Sequence, residues 1–193
     1  MRSTICVAWL AALLLSSAHC RDSVHVLIVY HSEAGHTQTM AEAVARGARS
    51  VSGAKVTLLP VAEATNENVL AADAIILGSP VHNANVTPAL QQFINRWPFE
   101  GAPLRDKIGA AFVTAGGMSA GEELVQMNIL HSMLIFGMIV VGGPDWRSAF
   151  GASGIVEEEP FKTQTGEVAT PFLAKGEALG KRVAELAKRL STK

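Results

Sequence analysis

Cysteine is scarce in this chain and confined to one end. The two cysteines among 193 residues, Cys6 and Cys20, both fall within the first twenty positions. From Arg21 onward there is no thiol, which excludes disulfides, thiol catalysis and cysteine-ligated metal from that part. A dominant charge is missing as well. With 16 Lys and Arg against 17 Asp and Glu the formal net charge is −1, or −2 without Arg2, and nothing electrostatic points to nucleic acid. The chain has neither the three spaced glycines of a dinucleotide-binding turn nor a Walker lysine. It has no internal repeat, no low-complexity tract and no Cys/His or Ser/His/Asp arrangement suited to a covalent nucleophile. No metal site is expected.

Apolar side chains are what the chain has in quantity. Hydrophobic residues make up 49 % and charged residues 17 %, a balance that suits one compact domain with a sizeable core. Residues 1–20 differ from the rest. Arg2 gives a short positive start, Ile5 to Leu15 an apolar run, and Ser16-Ser17-Ala18-His19-Cys20 a small, polar close. This is the pattern of a secretory signal peptide cut before Arg21, with Ala18 and Cys20 in the small-residue places. The apolar run is too short for a comfortable transmembrane span. An uncleaved signal anchor is the alternative. Lipidation of Cys20 is a weaker one, because His19 precedes it. The expected organisation is a leader over 1–20 and one domain over 21–193. Its expected destination is the secretory pathway, the envelope or the exterior, with no membrane span after cleavage.

Past the leader, apolar runs alternate with helical periodicity. Val24 to Tyr30 reads as a buried strand, followed by a helix with Met40, Ala43, Val44 and Ala48 on one face. Lys55 to Pro60 is a second strand and Asn66 to Ala72 a modest helix. Asp73 to Gly78 is a continuous apolar strand of the kind buried on both faces, and Pro88 to Trp97 a helix. Ile108 to Val113, the helix Glu122 to Phe136, and a fifth strand Met138 to Val141 follow. A connection over about 143–170, rich in Gly and Pro, leads to a closing helix, Pro171 to Leu190. Five strands alternating with five helices predict a doubly wound five-stranded parallel sheet with helices on both faces. In such sheets ligands bind at the carboxyl ends of the strands.

The loops at those ends carry the chemistry. After the first strand comes His31-Ser32-Glu33-Ala34-Gly35-His36-Thr37-Gln38. A loop opening into a helix N-terminus presents free N–H groups to an anion, and Ser32 and Thr37 add hydroxyls. Gly78-Ser79-Pro80-Val81-His82-Asn83-Ala84-Asn85 follows the third strand, and Thr114-Ala115-Gly116-Gly117-Met118-Ser119 the fourth. Ser32-x-x-Gly35-His36-Thr37 resembles the FMN-phosphate loop of flavodoxin-like proteins. The chain is most similar to the branch of WrbA-type NAD(P)H:quinone oxidoreductases and flavodoxin-like NAD(P)H-dependent FMN reductases. The resemblance covers residues 24–190.

That resemblance implies an FMN site and a fold of flavodoxin type. Ser32, Glu33, Ala34, Gly35, His36 and Thr37 would hold the phosphate. Pro80, Val81, His82 and Asn83 would edge the flavin ring. Thr114, Ala115, Gly116, Gly117, Met118 and Ser119 would lie against the ring and ribityl chain. His82 stands where the family has an aromatic residue and Ala84 where it has glycine. An imidazole titrates near neutrality, so His82 is also the candidate general acid. Two features depart from the WrbA-type branch. Ile135-Phe136 replaces a His-His pair, and a short segment, Ala62 to Ala72, replaces the insertion associated with that branch's tetramer. Trp146 and Phe150 are candidates to cover a flavin or quinone face. The implied activity is hydride transfer from NADH or NADPH through FMN to a quinone or similar small acceptor, in a chain whose assembly (dimer or tetramer) stays open. The alternatives are a flavodoxin-type electron carrier and an FMN-binding protein without turnover.

Overall fold

A computed structural model describes residues 23–191. The expected leader, with both cysteines, lies outside the described residues. The chain runs β1 (Val24–Tyr30), α1 (His36–Arg49), β2 (Ala54–Pro60), α2 (Asn66–Ala71), β3 (Ala74–Pro80) and α3 (Pro88–Asn95). It continues through β4 (Ile108–Ala115), α4 (Glu122–Ile135), β5 (Ile139–Val140), a 3-10 turn (Trp146–Ser148), β6 (Ala152–Ile155) and α5 (Thr170–Ser191). All strand pairs are parallel, in the order β2-β1-β3-β4-β5, with β6 also on β4. The order reverses between β1 and β3, which opens a crevice at their carboxyl ends.

The alternation of side chains along each strand builds two cores. On β1, Val26, Ile28 and Tyr30 face α1 and α5, while Leu27 and Val29 face α2, α3 and α4. β3 divides in the same way, Ile76 to one side and Ile75 and Leu77 to the other. Each such Leu, Ile or Val, fully buried, contributes about 1.5–3 kcal/mol. Across the first face, α1 and α5 cross in close contact because three glycines remove side chains between them. A methyl on Gly47 would strike the Glu177 carbonyl, one on Gly180 the Val44 carbonyl, and one on Gly176 the Met40 sulfur.

The fifth strand departs from expectation. The sequence predicts a strand over Met138 to Val141 and a long connection after it; the edge is instead a strand in two pieces. β5 pairs with the start of β4 at Ile108 and Gly109, and β6 with its end, from Phe112 to Ala115. Between them the chain leaves the sheet for the Trp146–Ser148 turn. Asp145 caps that turn by accepting the Arg147 N–H at 2.9 Å, and Gly143 N–H closes the excursion on Ser148 O at 2.8 Å. The buried Gln126 amide donates to Ala152 O at 3.0 Å, which fixes β6 beside α4. The consequence is a fourth carboxyl-end loop, starting at Val156.

Candidate functional site

The β1–α1 connection is short because Gly35 turns it. Its φ of 87° is left-handed, a conformation glycine adopts without strain, and Gly166 Cα lies 3.0 Å from where a Cβ would stand. No side chain caps α1, and its first turn has no acidic residue. The first turns of α2 and α4, by contrast, carry Glu67 and Glu122-Glu123. The N-terminus of α1 therefore keeps its N–H groups and positive dipole end free for an anion. Two bonds strap the loop from behind: His36 Nδ1–H donates to Glu167 O at 2.6 Å, and Thr39 Oγ1 to Gly166 O at 2.6 Å.

The β3–α3 connection is held by Ser79, which is fully buried. Its hydroxyl accepts from Thr87 N at 3.2 Å and donates to Pro80 O at 2.8 Å. At its tip His82 and Asn85 exchange two backbone hydrogen bonds around Asn83 (φ 49°) and Ala84 (φ 59°). That is a two-residue turn with both central φ positive. Gly121, facing Ala84, leaves room for the Ala84 methyl where a Cβ of its own would clash. After β4, Thr114 Oγ1 meets Thr37 Oγ1 at 2.7 Å, tying the first loop to the third inside the protein.

These loops enclose an open cleft of about 540 Å³. Of the predicted residues, Ser32, Glu33, Ala34, His36, Thr37, Pro80, Val81, His82, Thr114, Ala115 and Gly116 line it. Gly35 shapes the loop from behind. Asn83 is exposed at the turn tip, and Gly117, Met118 and Ser119 lie beyond the rim, where Met118 N–H donates to Glu158 at 2.6 Å. Trp146 and Phe150 are exposed on the edge excursion and do not line the cleft. Val156 and Glu157 line it and were not anticipated. They follow β6, whose Ala-Ser-Gly-Ile sequence has little strand propensity and so hid the loop behind it.

The cleft's own charges are few. His82 Nε2 stands 3.7 Å from Glu33 Oε2 across the mouth, Glu157 lies on the third side, and among the described residues no Lys or Arg lines the cleft. A phosphate there would be held by backbone N–H groups and hydroxyls. The Ser32 hydroxyl is buried without a partner, a group shaped for such a ligand, and the residues present thus fit FMN. Among the described residues no three His, Cys, Asp or Glu side chains come together as a metal site. No helix there is long and apolar enough to cross a membrane.

Fold and cleft together define a doubly wound α/β protein whose cleft opens at the switch point of its sheet, against an uncapped helix N-terminus. Residues 60–152 match the family model described as NADPH-dependent FMN reductase. A flavodoxin of Aquifex aeolicus is 34 % identical over 168 residues, spanning 83 % of this chain and 85 % of its own. An NAD(P)H dehydrogenase (quinone) of Azorhizobium caulinodans is 33 % identical over 165 residues, spanning 72 % and 81 %. The crystal structure of a WrbA-like flavodoxin from Agrobacterium tumefaciens aligns with a TM-score of 0.72 at 24 % identity, over 89 % of this chain and 100 % of that one. This chain belongs to the flavodoxin-like family of FMN-dependent oxidoreductases.

Proposed function

We propose that the protein binds FMN in this cleft and passes a hydride from NADH or NADPH to a quinone or a similar small acceptor. The observation that carries the reading is the meeting of three carboxyl-end loops around one cleft, with the Ser32 hydroxyl buried and unanswered beside an uncapped helix N-terminus. Ser32, Thr37 and the amides of residues 33–37 would hold the phosphate. Pro80, Val81 and His82 would edge one side of the ring, with Ala115 and Gly116 against the other. The flavin supplies the two-electron chemistry when bound; the protein supplies position and electrostatics. Hydride leaving NAD(P)H gives NAD(P)⁺, and the acceptor takes that hydride equivalent and one proton to become a hydroquinone. His82, at the mouth and 3.7 Å from Glu33, is the side chain placed to hold that proton.

A second reading, an electron carrier, is favoured by one observation. Exposed Glu33, Glu63, Glu123, Glu157 and Glu158 gather at the cleft end, a distribution suited to docking on a basic partner. An anaerobic visible spectrum of FMN-loaded protein separates the two. Bleaching by NADH or NADPH, reversed by a benzoquinone, supports the reductase. Retained yellow flavin that neither donor bleaches supports the carrier. No retained flavin refutes both.

A further inference from the structure

The end of the molecule opposite the cleft has a different character. All strands are parallel, so the start of β1, the α3–β4 and α4–β5 connections and the last turn of α5 share that end. Between the two connections runs a groove of about 600 Å³ lined by Phe99, Pro103, Arg105, Leu134, Ile135 and Phe136. Phe99, Leu134 and Ile135 are 64 %, 51 % and 70 % exposed. Phe99 is held by an edge contact with Phe136 at 5.7 Å, which in turn packs on the buried Trp97 at 5.4 Å. A neighbouring depression shares Arg105 and brings in Leu190, itself 43 % exposed.

Beside the strip Arg96 and Arg105 alternate with Glu100 and Asp106, and over this end as a whole basic groups are in excess. Arg49, Lys55, Arg96, Arg105 and Arg189 are exposed at this end. Among the described residues the acids there are Glu100, Asp106 and Asp73, and Asp73 is engaged by the His25 N–H at 2.8 Å. The carboxylates of the cleft end lie at the other pole. Residues 1–22, with the apolar run Ile5 to Leu15, precede Ser23 and so join the domain at this same end. The basic excess of this end as a whole would complement an anionic surface.

We propose that this end rests on an anionic lipid surface. Phe99, Leu134 and Ile135 enter the interface, Arg96 and Arg105 meet lipid phosphates, and the cleft faces away into water. Exposed aromatic and aliphatic side chains beside basic ones are the elements of interfacial binding. The proposal stands whether or not a cofactor fills the cleft.

Vesicle flotation of residues 21–193 tests it. Both core clusters lie between Val24 and Ala187, so this piece carries the whole described core. The expected result is binding to phosphatidylglycerol-containing vesicles, weakened by salt, and little binding to pure phosphatidylcholine. Arg105→Ala should weaken partitioning about fivefold, the share of one basic residue near an anionic surface. Combined Phe99→Ser and Ile135→Ser should weaken it further, with circular dichroism confirming the fold. Equal behaviour towards both lipids would overturn the proposal. So would binding unaffected by either variant, or a solution dimer that Phe99→Ser dissociates.

Discussion

A buried hydroxyl without a partner costs about 1–3 kcal/mol, so the Ser32 side chain is a group the ligand-free protein holds at a loss. Of the buried side-chain polar atoms left unpartnered among the described residues, Ser32 Oγ is the one on the cleft wall. Ser32→Ala should therefore leave the melting temperature of the apoprotein unchanged or raise it slightly. The same change should weaken FMN binding about tenfold or more, since a hydrogen bond to a charged group contributes about 1.5–3 kcal/mol. Quenching of flavin fluorescence measures the second effect, and an unchanged affinity would remove Ser32 from the phosphate site. Tyr30, the chain's single tyrosine, gives a second residue-scale readout. Burial, then the carboxylates of Glu42 and Glu63, raises its phenol pKa above the ordinary value. The fold thus favours the neutral phenol. That contribution is fully present below the unfolded pKa of about 10 and is lost as pH rises through the higher folded value. The tyrosinate absorbance band should titrate at higher pH in native protein than in denaturant, and stability should fall in the same alkaline window. Coincident midpoints would show that Tyr30 is solvated like an unfolded residue.

At the scale of elements, the α1–α5 crossing depends on backbones touching. Gly180→Ala places a methyl against the Val44 carbonyl, and overpacking of this kind costs about 3 kcal/mol. For a chain of this size that is a fall of roughly 10 °C in melting temperature, measurable by circular dichroism. A neutral result would mean that the two helices slide apart freely. The same helices show what was legible beforehand. The 3.6-residue spacing of Met40, Val44 and Ala48 and the unbroken run Ala74 to Leu77 are strong local signals, because a buried face must be apolar along its whole length. α1 and β3 accordingly lie where expected. The edge strand was not legible. Its two pieces are short, β6 is built from Ala, Ser, Gly and Ile, and its pairing with β4 joins residues about forty positions apart, a relation no local pattern carries. The loops divide the same way. Ser32 to Thr37 lie on a strand-to-helix turn whose direction the strand dictates. Met118 is held by Glu158, which belongs to the unforeseen loop, and Ser119 by Glu122 of α4.

For the molecule as a whole, the question is how a cleft end rich in carboxylates would accept the phosphate dianion of the proposed FMN. Glu33 is exposed and its carboxylate lies 3.7 Å from His82, and Glu158 is occupied by Met118 N–H. The N–H groups at the start of α1, by contrast, have no acidic neighbour in their own turn. Attraction is therefore short-ranged and directional, while repulsion comes from groups that water screens. On this balance the phosphate, more than the ring, should decide retention. FMN at a hundredfold excess over its dissociation constant should stabilise the protein by about 2.7 kcal/mol, a rise of roughly 5–10 °C in melting temperature. Riboflavin at the same concentration, with the identical ring and no phosphate, should raise it far less. Raising the salt concentration should leave the FMN shift largely intact, because the bonds proposed to hold the phosphate would come from buried or sterically fixed donors. Equal shifts for FMN and riboflavin would mean that the ring binds without the loop after β1. No shift with either would mean that the cleft holds another ligand.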